Sequence, residues 1–294
     1  MNDLEFYEGE RKKVYRKYRI FVNIGLFLIT IAAILVIILV SRETLFLIPL
    51  VFPLFMGGFA FIALGAYKKN KFAKTIKREI VKNFVDTKFE EVKLYEPQYG
   101  LSESDVLRSG ITSRPDRFSS EDLIEGVYKE IKFRVSDCHM EDEHTDSEGH
   151  TSTTTVFKGR YYIYEFKRKF VGTLKVWEKL IFGNKQNLKK IETESIRFNK
   201  TFRSWTDDQQ FAFYMLTPSV IEKLLAFEEK YKGKMAFYVH ENELHIAVDD
   251  NNDYMEINIK NQIDEKMYGG IIRDVELIFD FVDFFELDSD KFNQ

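Results

Sequence analysis

The sequence predicts a two-span transmembrane α-hairpin followed by a soluble α+β domain with an antiparallel sheet. Two observations predict this class: a pair of uncharged apolar runs near the start of the chain, and a downstream region in which apolar residues alternate with polar ones. A third is a set of apolar positions at helical spacing towards the end. The 294 residues leave about 225 outside the hairpin and the segment before it, enough for one sizeable core.

The hairpin is predicted from length and composition. Residues 20–40 include 21 positions without a charge, of which 16 are Ile, Leu, Val or Phe, and residues 45–67 add 23 more. A helix needs about 20 apolar residues to cross a bilayer, because its backbone groups must pair within the helix. A helical hairpin buried in a soluble core is the alternative, but such helices rarely lack a polar face.

Charge is divided unevenly along the chain. Residues 1–118 carry 19 Lys and Arg against 13 Asp and Glu, whereas residues 119–294 carry 24 against 34. Cations flank the hairpin on both sides, at Arg11, Lys12, Lys13, Arg16, Lys17, Arg19, Lys68, Lys69, Lys71, Lys74, Lys77, Arg78 and Lys82. Because Lys and Arg accumulate on cytoplasmic flanks, we expect a multi-pass protein of the cell membrane with both termini cytoplasmic and the lipid bilayer as a partner. The acidic balance of residues 119–294 disfavours nucleic-acid binding, and the single Cys138 can form no internal disulfide.

A charged arm over residues 1–19 precedes the hairpin, and a basic amphipathic helix over residues 68–95 is predicted to follow it. The apolar positions of this helix recur every four residues, at Phe72, Ile76, Ile80 and Phe84. Such a stripe can lie on the membrane surface or pack on the domain. Within the second span, Pro49 and Pro53 predict a kink or a late helix start. Three glycines are expected to let the two spans approach closely: Gly57, Gly58 and Gly65.

Residues 96–260 are predicted to form the α+β domain. Alternating apolar residues predict strands at residues 131–135, 157–166, 172–180, 202–205, 211–216, 235–239 and 244–248, the last two as a tight hairpin over residues 240–243. Residues 139–150 are too polar to pack and are predicted to form a long loop. Ser102 or Ser104 is expected to cap a short helix that runs to Leu107. Thr217 is expected to cap a longer helix that has Pro218 at its first position.

Residues 261–294 are predicted to carry a C-terminal amphipathic helix over residues 262–287. Its apolar positions step by three or four: Ile263, Met267, Ile271, Val275, Ile278, Val282 and Phe285. Gly269 and Gly270 weaken the first turns and predict a kink or a late start. We expect the helix to dock on the sheet of its own domain. Self-association into a homo-oligomer is the alternative, because the same pattern suits a short coiled coil.

Several short motifs in this order resemble the DUF3137 family. They are SEDLIEG at 120–126, FKG at 157–159, YIYEFK at 162–167, FNKTF at 198–202, DDQ at 207–209, LTP at 216–218, IEKLL at 221–225 and LHIAV at 244–248. The resemblance covers roughly residues 75–260. The C-terminal helix and residues 139–150 are less characteristic, and the latter look like a variable insertion. The resemblance implies a bacterial, membrane-anchored cytoplasmic domain of unknown function, and it supplies no catalytic residue.

The predicted loop holds the strongest candidate metal ligands. Imidazoles and carboxylates suit Zn²⁺ or another first-row divalent ion, and the loop contains His139, Glu141, Asp142, Glu143, His144, Asp146, Glu148 and His150. Their spacing matches no closed site, and a solvated acidic loop is the competing interpretation. His240 and His245 are five residues apart in strands, so they are expected to face opposite sides.

Nucleophilic catalysis has little support. Cys138 and His139 are adjacent in a strand, which points their side chains apart, and no P-loop, HExxH or Gly-x-Ser-x-Gly pattern is present. Paired carboxylates lie at predicted turns, where Asp bonds nearby backbone. These pairs are Asp207 with Asp208 and Asp249 with Asp250.

Aromatic and basic residues alternate over residues 160–169. Arg160, Lys167, Arg168 and Lys169 lie close to Tyr161, Tyr162, Tyr164 and Phe166. An exposed patch of this kind could bind a partner, whereas ordinary strand alternation would place some rings in the core and some outside.

Taken together, these features favour a non-catalytic interaction or scaffold module at the cytoplasmic face of the membrane, with an unidentified protein partner. The alternative is a membrane-tethered enzyme or ligand-sensing domain whose pocket is assembled from residues scattered in the sequence. The sequence assigns no catalytic, cofactor-binding or metal-ligating residue, and no cofactor is expected.

Overall fold

A computed structural model describes residues 2–88, 91–179, 183–185, 187–231 and 233–293. The chain divides into two compact units. The first comprises Met1–Ile80 with Glu256–Gly270, and the second comprises Val81–Met255 with Ile271–Gln294. Position 180, at the end of one predicted strand, lies outside the described residues.

The helices are α1 Asn2–Ser41, α2 Phe52–Lys88, α3 Glu103–Leu107, α4 Ile196–Thr201, α5 Gln209–Met215, α6 Pro218–Lys230, α7 Glu265–Phe285 and α8 Asp290–Asn293, with a 3₁₀ helix over Leu45–Val51. The strands are β1 Glu91–Glu96, β2 Arg117–Tyr128, β3 Ile131–Thr145, β4 Thr151–Glu178, β5 Lys189–Ile191, β6 Phe202–Thr206 and β7 Lys234–Asp249.

The first unit contains two helices that are long and apolar enough to cross a membrane, α1 and the helical stretch from Leu45 through α2. The late start predicted for the second span is confirmed, because Pro49 lies in the 3₁₀ helix and the α-helix begins at Phe52. The two helices approach closely at a pair of glycines. A Cβ atom on Gly25 would lie 2.6 Å from the carbonyl oxygen of Gly58, so neither position has room for a side chain.

Residues 256–270 complete the first unit by packing on its helices. Arg11 donates from Nη1 to the carbonyl oxygen of Ile259 at 2.9 Å, and the amide of Ile263 donates to Glu8 Oε2 at 2.9 Å. Glu8 and Arg11 are themselves paired at 2.7 Å, and both are buried. The charged arm before the hairpin is therefore a continuous part of helix α1 that anchors a much later segment of the chain.

The helix predicted over residues 68–95 ends early. It is continuous with the second span, but it stops at Lys88, and residues 91–96 form the edge strand β1. Leu94 lies opposite Glu125 and Tyr95 opposite Ile124 of β2. Pairing with β2 satisfies backbone groups that would otherwise continue the helix, and this tertiary pairing overrides local helical pattern.

The second unit is built on one seven-stranded antiparallel sheet. The strand order is β1-β2-β3-β4-β6-β5, and β7 pairs along β4. The tight hairpin predicted over residues 235–248 is wrong, because β7 is one strand whose two halves pair with different parts of β4. Glu241, with φ of 49°, lies where the register shifts. The extra residues at this shift lie on β4, and β7 continues through it as one strand.

Helix caps of the second unit largely follow the predicted signals. Ser102 caps α3, and Thr217 caps α6 with Pro218 in the first turn, as predicted. The strand predicted over residues 211–216 is wrong, since helix α5 occupies this stretch. Its cap, Asp208, accepts hydrogen bonds from the amides of Gln210 and Phe211, and this local bond favours a helix over the apolar alternation.

Both faces of the sheet are covered. On one face, here called the α3 face, Tyr161 and Ile163 pack with Val106 and Ile111. On the other, the α7 face, the Tyr162 ring lies 4.9 Å from that of Phe281, and further contacts join Phe133 to Phe279 and the Tyr164 hydroxyl to the Ile278 carbonyl. The predicted docking of the C-terminal helix on its own sheet is confirmed, with α7 running through both glycines from Glu265.

Candidate functional site

Strands β3 and β4 continue past the rest of the sheet as a two-stranded ribbon, defined here as residues 139–157. Strand β2 pairs with β3 only as far as Glu141, and β7 pairs with β4 only from Gly159. Beyond these points the two strands pair with each other, from Glu141 opposite Thr155 to Thr145 opposite Thr151. Residues 143–155 are exposed on the ribbon.

The long loop predicted over residues 139–150 is therefore wrong in its backbone, although its exposure was expected. Only a short turn joins the strands, and Asp146 closes it by accepting bonds from the amides of Glu148 and His150 at 2.9 and 2.8 Å. Gly149 takes the left-handed conformation that the turn requires, with φ of 85°. The run of threonines that follows supplies β-branched residues, which favour strand structure without burial.

The candidate metal ligands are spread along this ribbon. His139 Nε2 lies 3.3 Å from Thr155 Oγ1 and 3.7 Å from Glu141 Oε1, whereas His150 Nδ1 lies 3.3 Å from Asp146 Oδ2. Among the described residues, no three His, Cys, Asp or Glu side chains come together in a group that could hold a metal ion.

A cleft of about 470 Å³ lies beside the base of the ribbon. Strand β4 lines it at Thr155 and Phe157, and its polar lining includes Thr112, Asp142, Lys234 and Asp249. The Thr112 hydroxyl is buried and has no hydrogen-bond partner among the described residues. Burial raises the pKa of Asp249, and the hydrogen bond from the Lys158 amide opposes that shift. The cleft thus combines two carboxylates, one cation and an unsatisfied hydroxyl.

A chain of buried hydrogen bonds crosses the α3 face. Ser109 Oγ lies 2.7 Å from the Tyr161 hydroxyl, which lies 3.0 Å from His245 Nδ1, and His245 Nε2 lies 3.1 Å from Glu243 Oε2. Arg108 pairs with the same carboxylate at 2.9 Å. Because a carboxylate only accepts, Nε2 is assigned as the donor, so that Nδ1 accepts from Tyr161. Burial lowers the pKa of His245, and Glu243 opposes that shift.

The order of groups in this chain resembles a proton relay, but the groups that could act as nucleophile and base are inaccessible. Ser109, Tyr161 and His245 are fully buried, and the chain reaches solvent only through Glu243 and Arg108, which are partly exposed. A substrate cannot reach Ser109 in this arrangement. The chain satisfies polar atoms in the core and ties α3 to the sheet.

The α7 face has its own buried charge, Arg160. Its Nε donates to Asp137 Oδ1 at 2.7 Å, its Nη1 donates to the Asp274 carbonyl at 2.8 Å, and its guanidinium lies 4.2 Å from the centre of the Tyr254 ring. Burial raises the pKa of Asp137, and the positive charge of Arg160 opposes that rise. Burial acts to lower the pKa of Arg160, whereas the charge of Asp137 raises it. The pair is a structural ion pair inside the domain.

The exposed aromatic and basic patch considered over residues 160–169 does not form. Tyr161, Tyr162, Tyr164 and Phe166 are all buried, because helices and loops cover both faces of this central strand. Arg160 is buried with them, and Lys167 forms an ion pair with Glu130 at the surface. Ordinary packing in a sheet that is covered on both faces accounts for this alternation of aromatic and basic residues. The rings that would be exposed if only one face were covered are therefore buried as well.

The two histidines of β7 also differ from expectation. His240 and His245 were expected to face opposite sides, yet both rings lie beside Tyr238, at 6.0 and 5.3 Å between ring centres. The left-handed backbone of Glu241, with φ of 49°, interrupts the regular alternation of β7 between the two histidines and brings them to the same side. His240 Nδ1 bonds the Thr173 hydroxyl at 3.0 Å, so the two imidazoles serve separate partners.

Cys138 and the paired aspartates have structural surroundings. Cys138 is buried, and burial raises the pKa of its thiol to about 12, which keeps it protonated. Asp207 accepts the amide of Thr173 at 2.6 Å, and Asp250 accepts the amide of Asn252 at 3.1 Å. Asp208 and Asp250 bond nearby backbone amides as predicted, whereas Asp207 and Asp249 accept from the amides of distant strand residues, Thr173 and Lys158.

One buried cation escaped the sequence analysis. Burial lowers the pKa of Lys175 to about 8, and its Nζ donates to the Asn184 carbonyl at 2.9 Å. Its position between Leu174 and Val176 gives no sequence signal for burial, because alternation would place it on the opposite face. The side chain is fully covered, and its ammonium lies 5.5 Å from the centre of the Tyr238 ring.

Comparison with known proteins identifies one family. The family model described as "Protein of unknown function (DUF3137)" matches residues 155–287. The predicted resemblance is confirmed over this segment, which starts later than expected and includes helix α7. Residues 139–154 of the ribbon precede the match. No curated protein matches the chain.

One solved structure is similar to the chain. It is the crystal structure of the mycobacterial trehalose monomycolate transport factor A, TtfA, with 9% sequence identity and a TM-score of 0.37. The similarity covers 71% of this chain and 94% of that protein.

Proposed function

Starting from a chain that matches the DUF3137 family over residues 155–287, we propose a membrane-anchored interaction module whose domain lies in the cytoplasm. The two apolar helices support the anchor, and the cations on both flanks of the hairpin support a cytoplasmic location for both termini.

The observation that carries the interaction function is the ribbon. The body of the sheet is covered on both faces, and His245, Cys138 and the tyrosines at 161, 162 and 164 are buried in its core. The ribbon instead exposes a pair of strands that contribute little to the core beyond Met140 and Phe157 at its base. Surface elements of this kind are where binding residues concentrate on a rigid scaffold, so the ribbon is the element we assign to a protein partner.

Photo-cross-linking in living cells tests the interaction function. A photoreactive amino acid at Thr153, on the ribbon, should give a discrete cross-linked product. The same amino acid at Ile196, which is exposed at the start of α4, is the matched control. Equal labelling from both positions, or none from Thr153, would contradict a docking role for the ribbon.

The topology is tested with cysteines introduced at Asn2 and Asn293 in a chain that carries Cys138→Ser. Both should resist a membrane-impermeant thiol reagent in intact cells and react after the membrane is opened. A cysteine placed at Glu43, in the turn between the spans, should react in intact cells. Labelling of either terminus from outside would overturn the cytoplasmic location.

A further inference from the structure

The outer edge of the ribbon strand is open. Among the described residues, no strand pairs with β4 over residues 151–157 on the side away from β3. Proteins normally protect such an edge with lysine, proline or a bulge, because its free amides and carbonyls can pair with another chain. Residues 151–155 are Thr-Ser-Thr-Thr-Thr, without a charge or a proline. A register shift between the Met140–Phe157 and Glu141–Thr155 pairs marks a bulge at Val156, but over residues 151–155 the edge lacks the usual protection.

The cleft beside this edge is suited to a cationic side chain. Asp142 has no hydrogen-bond or ion-pair partner among the described residues, and the second carboxylate oxygen of Asp249 likewise has none there. Thr112 adds a hydroxyl that is 94% buried and unpartnered in the described structure. Lys234 supplies the cleft with a single positive charge, which leaves an excess of one carboxylate.

We propose, building on the interaction function above, that the ribbon edge binds an extended partner segment bearing Lys or Arg, which adds as a strand along residues 151–157. Main-chain hydrogen bonds would supply affinity and a side-chain pocket would supply specificity, as in strand addition generally. One cationic side chain of the segment enters the cleft between Asp142 and Asp249, where charge-assisted hydrogen bonds are strong.

The charge of the ribbon selects this occupant over a second copy of the chain. Five carboxylates lie on the ribbon and its turn: Glu141, Asp142, Glu143, Asp146 and Glu148. One of these, Glu143, is paired with Arg117. In a second copy, β4 would pair edge to edge through the uncharged residues 151–155, which bring no cation to the carboxylates of Asp142 and Asp249. A cationic segment would neutralise them.

The test uses the full chain in lipid nanodiscs and three fluorescent peptides, followed by anisotropy. The first alternates threonine with lysine, the second alternates threonine with glutamate, and the third is the lysine peptide with N-methyl groups on alternate amides, made in both registers. We expect saturable binding of the first peptide only. At least one of the two methylated peptides should bind about tenfold more weakly or worse. N-methylation removes main-chain hydrogen bonds to the ribbon edge, and the loss of one such bond has an effect of this order.

Substitutions in the cleft separate local contact from general attraction. Asp142→Asn and Asp249→Asn keep the side-chain shape, and Asn keeps an oxygen that can accept from the Lys158 amide. Each should weaken binding of the lysine peptide about tenfold. Glu148→Gln removes the same charge at the turn, away from the cleft, and should change binding less than about threefold, because an exposed charge is screened.

The outcomes distinguish this inference from the function on which it rests. Equal loss in Glu148→Gln and Asp142→Asn, or equal binding of both methylated registers and the parent peptide, overturns strand addition. A product of twice the chain mass from Thr153 cross-linking overturns the cationic occupant in favour of a second copy. Cross-linking from Thr153 to another protein, with no binding of the lysine peptide, would leave the interaction function standing and refute the cationic segment.

Discussion

Strand β4 passes through two different environments. Over residues 159–165 and 174–177 it is flanked by neighbours on both edges, and most side chains on both of its faces are buried. Over residues 151–155 it pairs with β3 alone, and each side chain is exposed. The comparison separates two causes of strand formation. Pairing and β-branched residues suffice for the ribbon, whereas the body also depends on burial.

The difference predicts how each half responds to substitution. In the body, a change removes packing or leaves a buried polar group without a partner, and the cost is large. In the ribbon, the substituted side chain remains in solvent, so the same kind of change costs little unfolding free energy. The substitutions below, ordered from the largest expected effect, compare the two regions.

The largest effect is expected for substitutions on helix α7, which packs against the covered part of the sheet. Val275 and Ile278 are fully buried in the second unit, so Val275→Asp or Ile278→Asp buries an unpaired carboxylate and should cost more than about 4 kcal/mol. Circular dichroism should show loss of the folded domain at every protein concentration. Arg273→Asp, at an exposed position of the same helix, is the control. A well-folded monomer replacing an oligomer would instead show that the helix self-associates.

The next effect is expected at the buried ion pair of the α7 face. Arg160→Met leaves the Asp137 carboxylate buried with one remaining donor in the described part of the chain, the Tyr254 amide at 2.8 Å, and should cost about 3–5 kcal/mol at neutral pH. A carboxyl with a raised pKa stabilises the fold in its protonated form, so the variant should regain stability as pH falls and lose it as pH rises. Denaturant unfolding at several pH values measures this.

A second substitution provides the control for Arg160→Met. Adding Asp137→Asn removes the charge and should recover part of the loss while flattening the pH dependence. If the double variant is as unstable as Arg160→Met and keeps its pH slope, the uncompensated carboxylate is not the cause.

The comparison of the two regions also explains which elements could be predicted. The spans, the capped helices α3 and α6 and the amphipathic helix α7 have local signals, and all were predicted from Ser102, Thr217 and apolar spacing. The ribbon, strand β1 and the single strand β7 depend on partners distant in sequence. Their sequence patterns are polar, short or interrupted, and a short stretch of sequence does not reveal which distant strand each of them pairs with.

The buried polar groups were harder still. Lys175 and His245 alternate with apolar neighbours and Arg160 is charged, so alternation or residue type predicts exposure, yet all three are buried because both faces of the sheet are covered. Their burial depends on specific partners, Asn184, Glu243 and Asp137. The candidate site was missed for a related reason, since Thr112, Asp142 and Asp249 are brought together only by the sheet. A weak signal existed in the uncharged run of threonines next to an acidic stretch.

On the α3 face, His245 is expected to give the domain a pH dependence of opposite sign to that of Arg160→Met. Because burial lowers its pKa below the usual 6.5, the unfolded chain binds the proton more readily. Stability is therefore fully present above pH 6.5 and falls as pH drops from 6.5 towards the lower folded pKa. His245→Gln, which can still donate to Glu243, should lose this part of the slope. An unchanged slope between the parent and the variant would exclude His245 as its origin.

The smallest effect is expected in the ribbon itself. Glu141 and Thr155 lie opposite each other, so an Asn-Gly turn in place of residues 142–154 can join them directly as a two-residue hairpin. Because the removed residues are almost entirely exposed, the melting temperature should stay close to that of the parent, with a change in unfolding free energy within about 0.5 kcal/mol. The shortened chain should nevertheless lose the binding of the lysine peptide, which is a property of the ribbon. Addition of Zn²⁺ should leave both melting temperatures unchanged, since a rise in the parent alone would mean that the ribbon's histidines and carboxylates gather around a metal in the folded state. A large loss of stability on shortening would mean that the ribbon supports the body, and the two regions of β4 would then share one cause of stability.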